Sequence, residues 1–330
     1  IDGKMKTDNS KVYIVTGGAG FIGSNIVKAL NDKGLTNIII VDHLTDNGKW
    51  KNLIGLKFVS YYDRKDFLDE LNRGTSSLDN VDAIIHMGAC TKTTETDENY
   101  LIYNNAIYSK TLFDYAAYHN IRFIYASSAA TYGDGAKGYN DYETDLKPLN
   151  CYGYSKYLFD QWVIGSVKKP LQCVGLKFFN VFGPNEYHKG QMASVVYHGY
   201  NQIKKDGEIR LFKSYKQEYK DGEQKRDFIY VKDAVKVVLF FLSQPHINGI
   251  FNVGTGKART FLDLAKAIFS ALNLEPDIRF IDMPEDLKDK YQYFTEADIT
   301  RLRNAGFYVN FSELEDAVKD YVQNYLAVRG

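Results

Sequence analysis

The glycine-rich stretch Gly17–Gly23 most constrains what this chain can fold into. It follows the apolar run Val12–Val15 and leads into a helical pattern, Phe21–Leu30. Glycines permit a tight turn and a close approach of the backbone to phosphate, and the start of the following helix attracts an anion. Asp42 closes the next apolar run, 19 residues after Gly23, where a carboxylate meets an adenosine ribose. This context favours a dinucleotide-binding βαβ unit over an ordinary turn.

Apolar runs alternate with helical patterns through the first half of the chain. The runs are Ile38–Val41, Val81–His86, Ile121–Ala126 and Leu171–Lys177. Continuous apolar runs are typical of strands buried on both faces, so the sequence predicts an α/β fold with a doubly wound parallel sheet. Helices are predicted over Asn99–His119, from the stretch Leu149–Lys156 through Val167, over Met192–Gln202 and over Pro284–Phe307. Asn104 and Asn105 are poor helix formers inside the first of these and need another reason to be there.

Composition excludes several classes of function. The chain carries 41 Lys and Arg residues against 41 Asp and Glu residues, which argues against a nucleic-acid partner bound through its phosphates. Three cysteines without framework spacing suit a reducing compartment, and we expect a cytoplasmic protein. No run of 18 apolar residues exists, so no membrane span is expected. His86 and Cys90 lie four residues apart, but no further ligands cluster with them, so no metal site is predicted.

Charges near Asp42 leave the choice of cofactor open. A carboxylate at this position favours NAD, because it repels a 2′-phosphate. Lys49 follows seven residues later and Arg64 follows the next apolar run, and either cation could neutralise a 2′-phosphate. Both are equally well explained as solvated surface charges.

A second group of residues indicates proton transfer. The strand Ile121–Ala126 ends in Ser127 and Ser128, at the sheet edge where sites of such folds lie. Tyr152 and Lys156 are four residues apart, hence on one face of a helix. A nearby ammonium would lower the pKa of a tyrosine and allow it to exchange a proton with a substrate hydroxyl. No Gly-x-Ser-x-Gly elbow is present, so a serine nucleophile is not supported.

The chain resembles the extended short-chain dehydrogenase/reductase family, also described as the NAD-dependent epimerase/dehydratase family. Within it, the chain is most similar to the epimerases that act on ADP-heptose. The resemblance covers nearly the whole chain after Lys11. It rests on five phrases: 15–34, 125–133, 148–156, 178–190 and 225–231.

The resemblance implies an isomerase, with epimerisation by transient oxidation and reduction on a tightly bound NADP, NAD being the alternative. It places the product in lipopolysaccharide core biosynthesis. The implied catalytic residues are Tyr152, Lys156, Lys189 and Ser128, with Ser127 as a further bond to the reacting oxygen. The implied cofactor-binding residues are Gly17, Gly20, Phe21, Ile22, Gly23, Asp42, His43, Lys49, Arg64, Met87, Gly88, Ala89, Cys90, Thr91, Asn104, Tyr152, Lys156 and Val181. The implied substrate-binding residues are Asn180, Lys189, Gln191, His198, Phe212, Ser214, Arg226 and Tyr291.

Several of these residues have a plainer interpretation. Lys189 alone would be a surface lysine, His198 a structural histidine, and Arg226 the partner of an aspartate. Gln191 stands where the family carries a serine, and the polar stretch 215–224 is longer than the family pattern, so contacts there are expected only at Phe212 and Ser214.

The resemblance also implies domain boundaries and an oligomeric state. We expect a Rossmann domain over 11–178 with a returning segment near 226–255, and a smaller mixed α/β substrate lobe over 179–225 and 256–330. A ring-like homo-oligomer, a pentamer, is the expected assembly. Two alternatives stay open: another sugar-nucleotide epimerase or dehydratase of the same fold, and a non-catalytic dinucleotide-sensing protein.

Overall fold

A computed structural model describes residues 9–73, 78, 80–92, 95–288 and 291–329. These residues form two compact units. The first contains Gly133 and the described residues before it, together with Asp141–Lys177 and Val235–Phe251. The second contains Asp134–Asn140, Phe178–Ala234 and the described residues from Asn252 onward. The segment that returns to the first unit is thus Val235–Phe251, where the sequence suggested 226–255.

Strands and helices alternate through the first unit and continue in the second. The strands are β1 Val12–Thr16, β2 Ile38–Asp42, β3 Ser60–Asp63, β4 Val81–His86, β5 Arg122–Ser128, β6 Gln172–Phe178, β7 Asn180–Phe182, β8 Ile209–Phe212, β9 Lys225–Tyr230, β10 Gly249–Val253, β11 Ala258–Thr260 and β12 Ile278–Ile281. The α-helices are α1 Phe21–Asp32, α2 Arg64–Arg73, α3 Glu98–Ile102, α4 Tyr108–Tyr118, α5 Cys151–Gly165, α6 Val195–Asp206, α7 Val231–Ser243, α8 Phe261–Ala271, α9 Glu285–Lys288, α10 Thr300–Asn304 and α11 Leu314–Tyr321.

The first unit is built on a seven-stranded sheet in the order β10-β6-β5-β4-β1-β2-β3. β1 pairs in parallel with β2 and with β4, and the parallel pairing extends to β3 and β5. The strand order reverses on the two sides of β1, which opens a crevice at the carboxyl ends of β1 and β4. The predicted doubly wound fold is confirmed, and its switch point lies where the glycine-rich turn follows β1.

The apolar strand runs are buried on both faces of this sheet: Val15, Ile40 and Ile85 are fully buried on one face, and a large cluster covers the other. Ile14, Phe67, Phe113, Phe123 and Phe159 belong to one buried cluster that includes residues of β1, α2, α4, β5 and α5. Burial of large side chains on both faces explains why these strands are continuously apolar rather than alternating.

The second unit contains two small sheets. One has the order β11-β9-β7, with β7 parallel and β11 antiparallel to β9. The other pairs β12 in parallel with β8. No helix in the described part of the chain is both long and apolar enough to span a membrane.

The predicted long helix Asn99–His119 is present with a wide turn in its middle. α3 and α4 are joined by a π-helical turn over Tyr103–Ile107, which contains both asparagines. The Asn105 amide grips the backbone of Cys90: its Oδ1 accepts from Cys90 N at 2.8 Å, and its Nδ2 donates to Cys90 O at 2.9 Å. Asn105 therefore tethers this helix to the segment after β4. This contact explains why a poor helix former occupies the position.

The predicted helix Pro284–Phe307 is wrong. Among its described residues, Glu285–Lys288 and Thr300–Asn304 are helical, while 291–299 is irregular. Backbone groups of that segment bond elsewhere: Lys225 N donates to Tyr293 O at 2.9 Å and Thr295 N donates to Lys225 O at 3.2 Å. These bonds to the start of β9 replace the bonds that a helix would make within itself.

The Asn105 tether yields a stability prediction. Replacing this fully buried residue in Asn105→Ala leaves the Cys90 N–H and C=O without partners, so the free energy of unfolding should fall by about 1–3 kcal/mol. Urea unfolding followed by circular dichroism measures the change. Asn201→Ala is the control, because the exposed Asn201 side chain makes a local bond to the carbonyl of Tyr197 one turn earlier. Equal losses in the two variants would contradict the tether.

Candidate active site

The turn after β1 is so tight that no side chain fits at Gly17 or Gly23. Gly17 has φ +65°, and a Cβ there would stand 2.7 Å from Gly88 N. A Cβ on Gly23 would stand 2.0 Å from Gly17 O. α1 begins after Gly20, which supplies no side-chain cap, and its first turn carries no acidic residue. The helix start therefore suits a bound anion such as a pyrophosphate.

The Asp42 carboxylate fastens this turn. Its Oδ2 accepts from Ala19 N at 2.8 Å, and its Oδ1 accepts from His43 N at 2.7 Å. The Lys49 ammonium also donates to Oδ1 at 2.7 Å. The negative charge that would repel a 2′-phosphate is thus balanced within the chain.

A cavity of about 200 Å³ opens beside the turn in the first unit. Its lining brings together a large part of the predicted cofactor set: Gly17, Asp42, His43, Lys49, Arg64, Gly88, Ala89, Cys90 and Asn104. Arg64 donates to Asn104 Oδ1 and so presents a second cation in this cavity. Thr91 is exposed and is not part of the lining, and Val181 lies in the second unit.

A neutral histidine joins the ends of β1 and β4. Burial lowers the pKa of His86 to about 3, so its imidazole is uncharged. Its Nδ1 lies 2.6 Å from Thr16 Oγ1, and its Nε2 lies 2.7 Å from Ser109 Oγ. Thr16 Oγ1 in turn accepts from Gly88 N at 3.1 Å. These bonds hold the crevice in shape, and sequence spacing alone gave no sign of them.

Ser128, Tyr152 and Lys156 lie together in the first unit, as predicted. Ser128 ends β5, and its hydroxyl hydrogen-bonds with the Tyr152 phenol, which lies half-buried one helical turn before Lys156. Lys156 is buried, and its Nζ donates to Ala126 O at 2.9 Å. Cys90, in the cavity lining, is close enough to influence both Tyr152 and Lys156 electrostatically.

The electrostatics of Tyr152 differ from the sequence expectation. We expected Lys156 to lower the pKa of the tyrosine, but burial raises it and only the hydrogen bond with Ser128 acts in the opposite direction. Burial also lowers the pKa of Lys156 to about 8. The lysine therefore gives up part of its charge near neutral pH, and the phenol keeps its proton.

Ser127 points away from the reacting side of Ser128, because successive strand residues face opposite sides of a sheet. Its buried hydroxyl donates to Asp160 Oδ2 at 2.7 Å. The expectation that Ser127 bonds the reacting oxygen is therefore wrong. Asp160 lies on the same helix face as Tyr152 and Lys156, four residues after the latter, and sequence reasoning missed it.

Lys189 lies in the second unit, in a 3₁₀ turn over Tyr187–Met192. Burial lowers its pKa, and the nearby carboxylate of Glu186 opposes that shift. Glu186 is itself fully buried and accepts from Ser194 N at 2.5 Å and from Ser194 Oγ at 2.6 Å. A lowered pKa makes a half-buried lysine easier to deprotonate than an exposed one, so Lys189 is more than a solvated surface charge.

Arg226 is buried at 7 % exposure without a carboxylate partner among the described residues. It donates to Lys225 O, and its guanidinium lies 5.1 Å from the centre of the Tyr291 ring. Asp227, the neighbouring acid, accepts instead from Thr255 N at 2.7 Å. The expected alternative, an ion pair with an aspartate, is thus not found, and a buried guanidinium of this kind suits an anionic ligand.

Of the other predicted substrate residues, some lie near Arg226, while others bond to backbone groups close by in the chain. The Phe212 ring packs edge-on against the Tyr291 ring, with 6.3 Å between the ring centres. Ser214 Oγ donates to Lys216 O at 3.0 Å within its own turn. His198 Nε2 lies 3.3 Å from the carbonyl oxygen of Gln191, whose side chain is exposed. Asn180 is exposed on β7. The described residues contain no group of three or more potential metal ligands.

Known proteins match this chain over nearly its full length. The model of the NAD dependent epimerase/dehydratase family matches residues 13–254. An ADP-L-glycero-D-manno-heptose-6-epimerase of Nitratidesulfovibrio vulgaris is 53% identical over 319 residues, which cover 96% of this chain and 98% of that protein. The enzyme of the same name from Fusobacterium nucleatum is 52% identical over 327 residues, with the same shares covered. The crystal structure of the Helicobacter pylori ADP-L-glycero-D-manno-heptose-6-epimerase superimposes with a TM-score of 0.84 at 28% identity, over 99% of each chain.

Because Lys156 is buried, we expect its amine to titrate at a lower pH than an ordinary lysine. Its pKa falls from an ordinary 10.5 to about 8 because the interior disfavours the ammonium. NMR of protein carrying ¹³C-labelled lysine should show one ε-carbon resonance that titrates near pH 8. That resonance should vanish in Lys156→Arg, which assigns it. If no lysine resonance titrated below about pH 9.5, the ammonium would be better solvated than the structure indicates.

Proposed function

The chain belongs to the NAD dependent epimerase/dehydratase family, and from this premise we propose that it is an isomerase which interconverts ADP-D-glycero-D-manno-heptose and ADP-L-glycero-D-manno-heptose. The observation that carries the proposal is the grouping of Ser128, Tyr152 and Lys156 near the cavity that opens beside the glycine-rich turn. The names of the heptose epimerases that are 46–53% identical to the chain support the choice of substrate. The product would supply lipopolysaccharide core biosynthesis.

The first unit is the proposed cofactor domain. Its glycine turn, open helix start and paired cations fit a nicotinamide dinucleotide, and Lys49 and Arg64 favour NADP over NAD. A nicotinamide dinucleotide held there would supply reversible hydride transfer at the C6″ centre of the heptose, with no net oxidation.

Two side chains of the protein would move the protons. The raised pKa of Tyr152 keeps its phenol protonated and suited to give a proton to the oxygen on C6″. The lowered pKa of Lys189 suits its amine to take a proton from that oxygen in the other half-reaction. The two roles exchange when the reaction runs in reverse. Ser128 would hold the reacting oxygen, and Lys156 would hold the nicotinamide ribose.

The second unit is the proposed substrate lobe. Arg226 would bind the diphosphate, because its buried guanidinium has no carboxylate partner among the described residues. Further substrate contacts are proposed for Asn180, Gln191, His198, Phe212, Ser214 and Tyr291. We also propose a cytoplasmic homo-oligomer, a pentamer, whose size light scattering on the purified protein would measure.

One comparison of substrates tests the function. The purified protein should convert ADP-D-glycero-D-manno-heptose into its C6″ epimer, followed by NMR, and should leave UDP-glucose and UDP-galactose unchanged. Turnover of the UDP-hexoses alone would replace the proposal with a hexose 4-epimerase of the same fold. Bound dinucleotide without turnover of any of the three would favour a sensing protein.

Removal of either proton carrier should slow the reaction without releasing the cofactor. We expect Tyr152→Phe and Lys189→Met each to lower kcat by about 10²–10⁴-fold, the usual contribution of a general acid or base. Mass spectrometry of the nucleotide released on denaturation should show the same cofactor content as the wild type. Lys28→Met, at an exposed lysine paired with Asp32, is the control. Wild-type turnover in either test variant would remove that residue from the mechanism.

The preference for NADP should depend on the two cavity cations. Each charge-assisted hydrogen bond is worth about 1.5–3 kcal/mol, so Lys49→Ala or Arg64→Ala should weaken NADP binding roughly 10- to 100-fold relative to NAD. Calorimetric titration of protein freed of nucleotide measures both affinities. Lys51→Ala, at an exposed neighbour, should leave the ratio unchanged. An unaltered ratio in both test variants would leave NAD as the better assignment.

A further inference from the structure

A buried ionic network lies beneath the Ser128, Tyr152 and Lys156 group. Its centre is Asp160 on α5, at 2 % exposure, which accepts from Tyr125 Oη at 3.0 Å and from Ser127 Oγ at 2.7 Å. Lys177, at 3 % exposure at the end of β6, places its Nζ 3.7 Å from Asp160 Oδ2. Neither charged group has an assigned role in the proposed reaction.

Lys177 also reaches the turn that follows Ser128. Its Nζ donates to Thr131 Oγ1 at 3.0 Å and lies 4.4 Å from the centre of the Tyr132 ring. Thr131 Oγ1 donates in turn to Ser128 O at 2.8 Å. A continuous chain of contacts therefore runs from the backbone of Ser128, through Thr131 and Lys177, to Asp160.

The two ends of this chain carry the groups that must meet the same substrate oxygen. Ser128 lies at the end of β5, whereas Tyr152 lies on α5 two helical turns before Asp160. The backbone between Ser128 and Tyr152 passes through a long segment that includes Asp134–Asn140 of the second unit. The intervening chain therefore does not fix the separation of the two hydroxyls. Besides the hydrogen bond between Ser128 and Tyr152, the buried network gives a second tie between the turn after β5 and α5.

We propose that Thr131 and Lys177 are positioning residues which set the separation between the Ser128 hydroxyl and the Tyr152 phenol by tying the turn after β5 to α5. The inference rests on the proposed function for its effect on turnover. Placement of reacting groups is sensitive, since a misplacement of about 1 Å can lower a rate on the order of 10²-fold. A buried ammonium with partners on two elements is suited to this task, because both contacts strengthen in a low dielectric.

Two substitutions of Thr131 separate positioning from packing. Thr131→Val keeps the shape of this fully buried side chain but removes the hydroxyl that bridges Lys177 and Ser128. Thr131→Ser keeps the hydroxyl and removes a methyl group. We expect Thr131→Val to lower kcat about 10- to 100-fold with KM nearly unchanged, and Thr131→Ser to stay within about threefold of the wild type. Wild-type kcat in Thr131→Val, or an equal loss in both variants, would overturn the proposal.

Lys168→Met is the matched control for the lysine. Lys168 is exposed and lies 4.9 Å from the centre of the Tyr118 ring, so it offers a comparable cation–aromatic contact away from the network. Its removal should leave kcat unchanged. Should Thr131→Val fold too poorly to purify, Asp160→Asn combined with Lys177→Met removes both buried charges together, and this pair should show the same loss of kcat.

A structural readout keeps the inference separate from the proposed function. Crystal structures of Thr131→Val and the wild type should differ by about 1 Å in the separation of Ser128 Oγ and Tyr152 Oη. An unchanged separation would overturn the positioning role whatever the activity. A wild type that turns over no ADP-heptose would refute the proposed function, and the crystallographic comparison alone would then decide whether the network positions Ser128.

Discussion

The placement of the Asp42 carboxylate is the constraint on which the first unit depends. Because both of its oxygens accept backbone N–H bonds, from Ala19 and from His43, the glycine turn and the end of β2 form one rigid edge. The bond from Lys49 to the same carboxylate then changes what the edge can bind. An acidic residue at this position ordinarily excludes a 2′-phosphate, but a neutralised one does not, and this supports the proposed use of NADP.

Sequence patterns predicted the features that depend on local repetition. Strands β1, β2, β4, β5 and β6 lie where continuous apolar runs placed them, and one helical turn brings Tyr152 and Lys156 onto one face. The patterns failed where distant partners decide the backbone. The segment 291–299 has residues that a helix accepts, yet its peptide groups bond to β9. Asp160 and Lys177 are single charges in apolar surroundings, and no spacing rule links residues from different elements of the sheet.

The asparagines of the long helix show how a local inconsistency can mark a contact. Asn104 and Asn105 lower helix propensity, and the structure widens the helix to a π turn at that point. The wider turn lets Asn105 bond both backbone groups of Cys90, while Asn104 accepts from Arg64 in the cofactor cavity. The two poor helix formers marked this position in the sequence, but their partners could not be predicted, since those lie on other elements. Arg226 is the converse case. The sequence left two interpretations open, a diphosphate ligand or an ion pair with an aspartate, and the absence of a carboxylate partner among the described residues favours the first.

Burial shifts the pKa values of the two proposed proton carriers in opposite directions. Burial raises the pKa of the Tyr152 phenol and lowers that of the Lys189 amine, so one group tends to hold its proton while the other tends to lose it. Environments that push two pKa values apart are how active sites assign an acid and a base. An epimerisation through a planar carbonyl needs both, since the oxygen loses a proton in one half-reaction and regains it in the other. In the proposed mechanism, one turnover would exchange the protonation states of the two groups and leave the protein prepared for the reverse reaction. A further forward turnover therefore requires proton exchange with solvent, which the half-buried positions of both side chains allow.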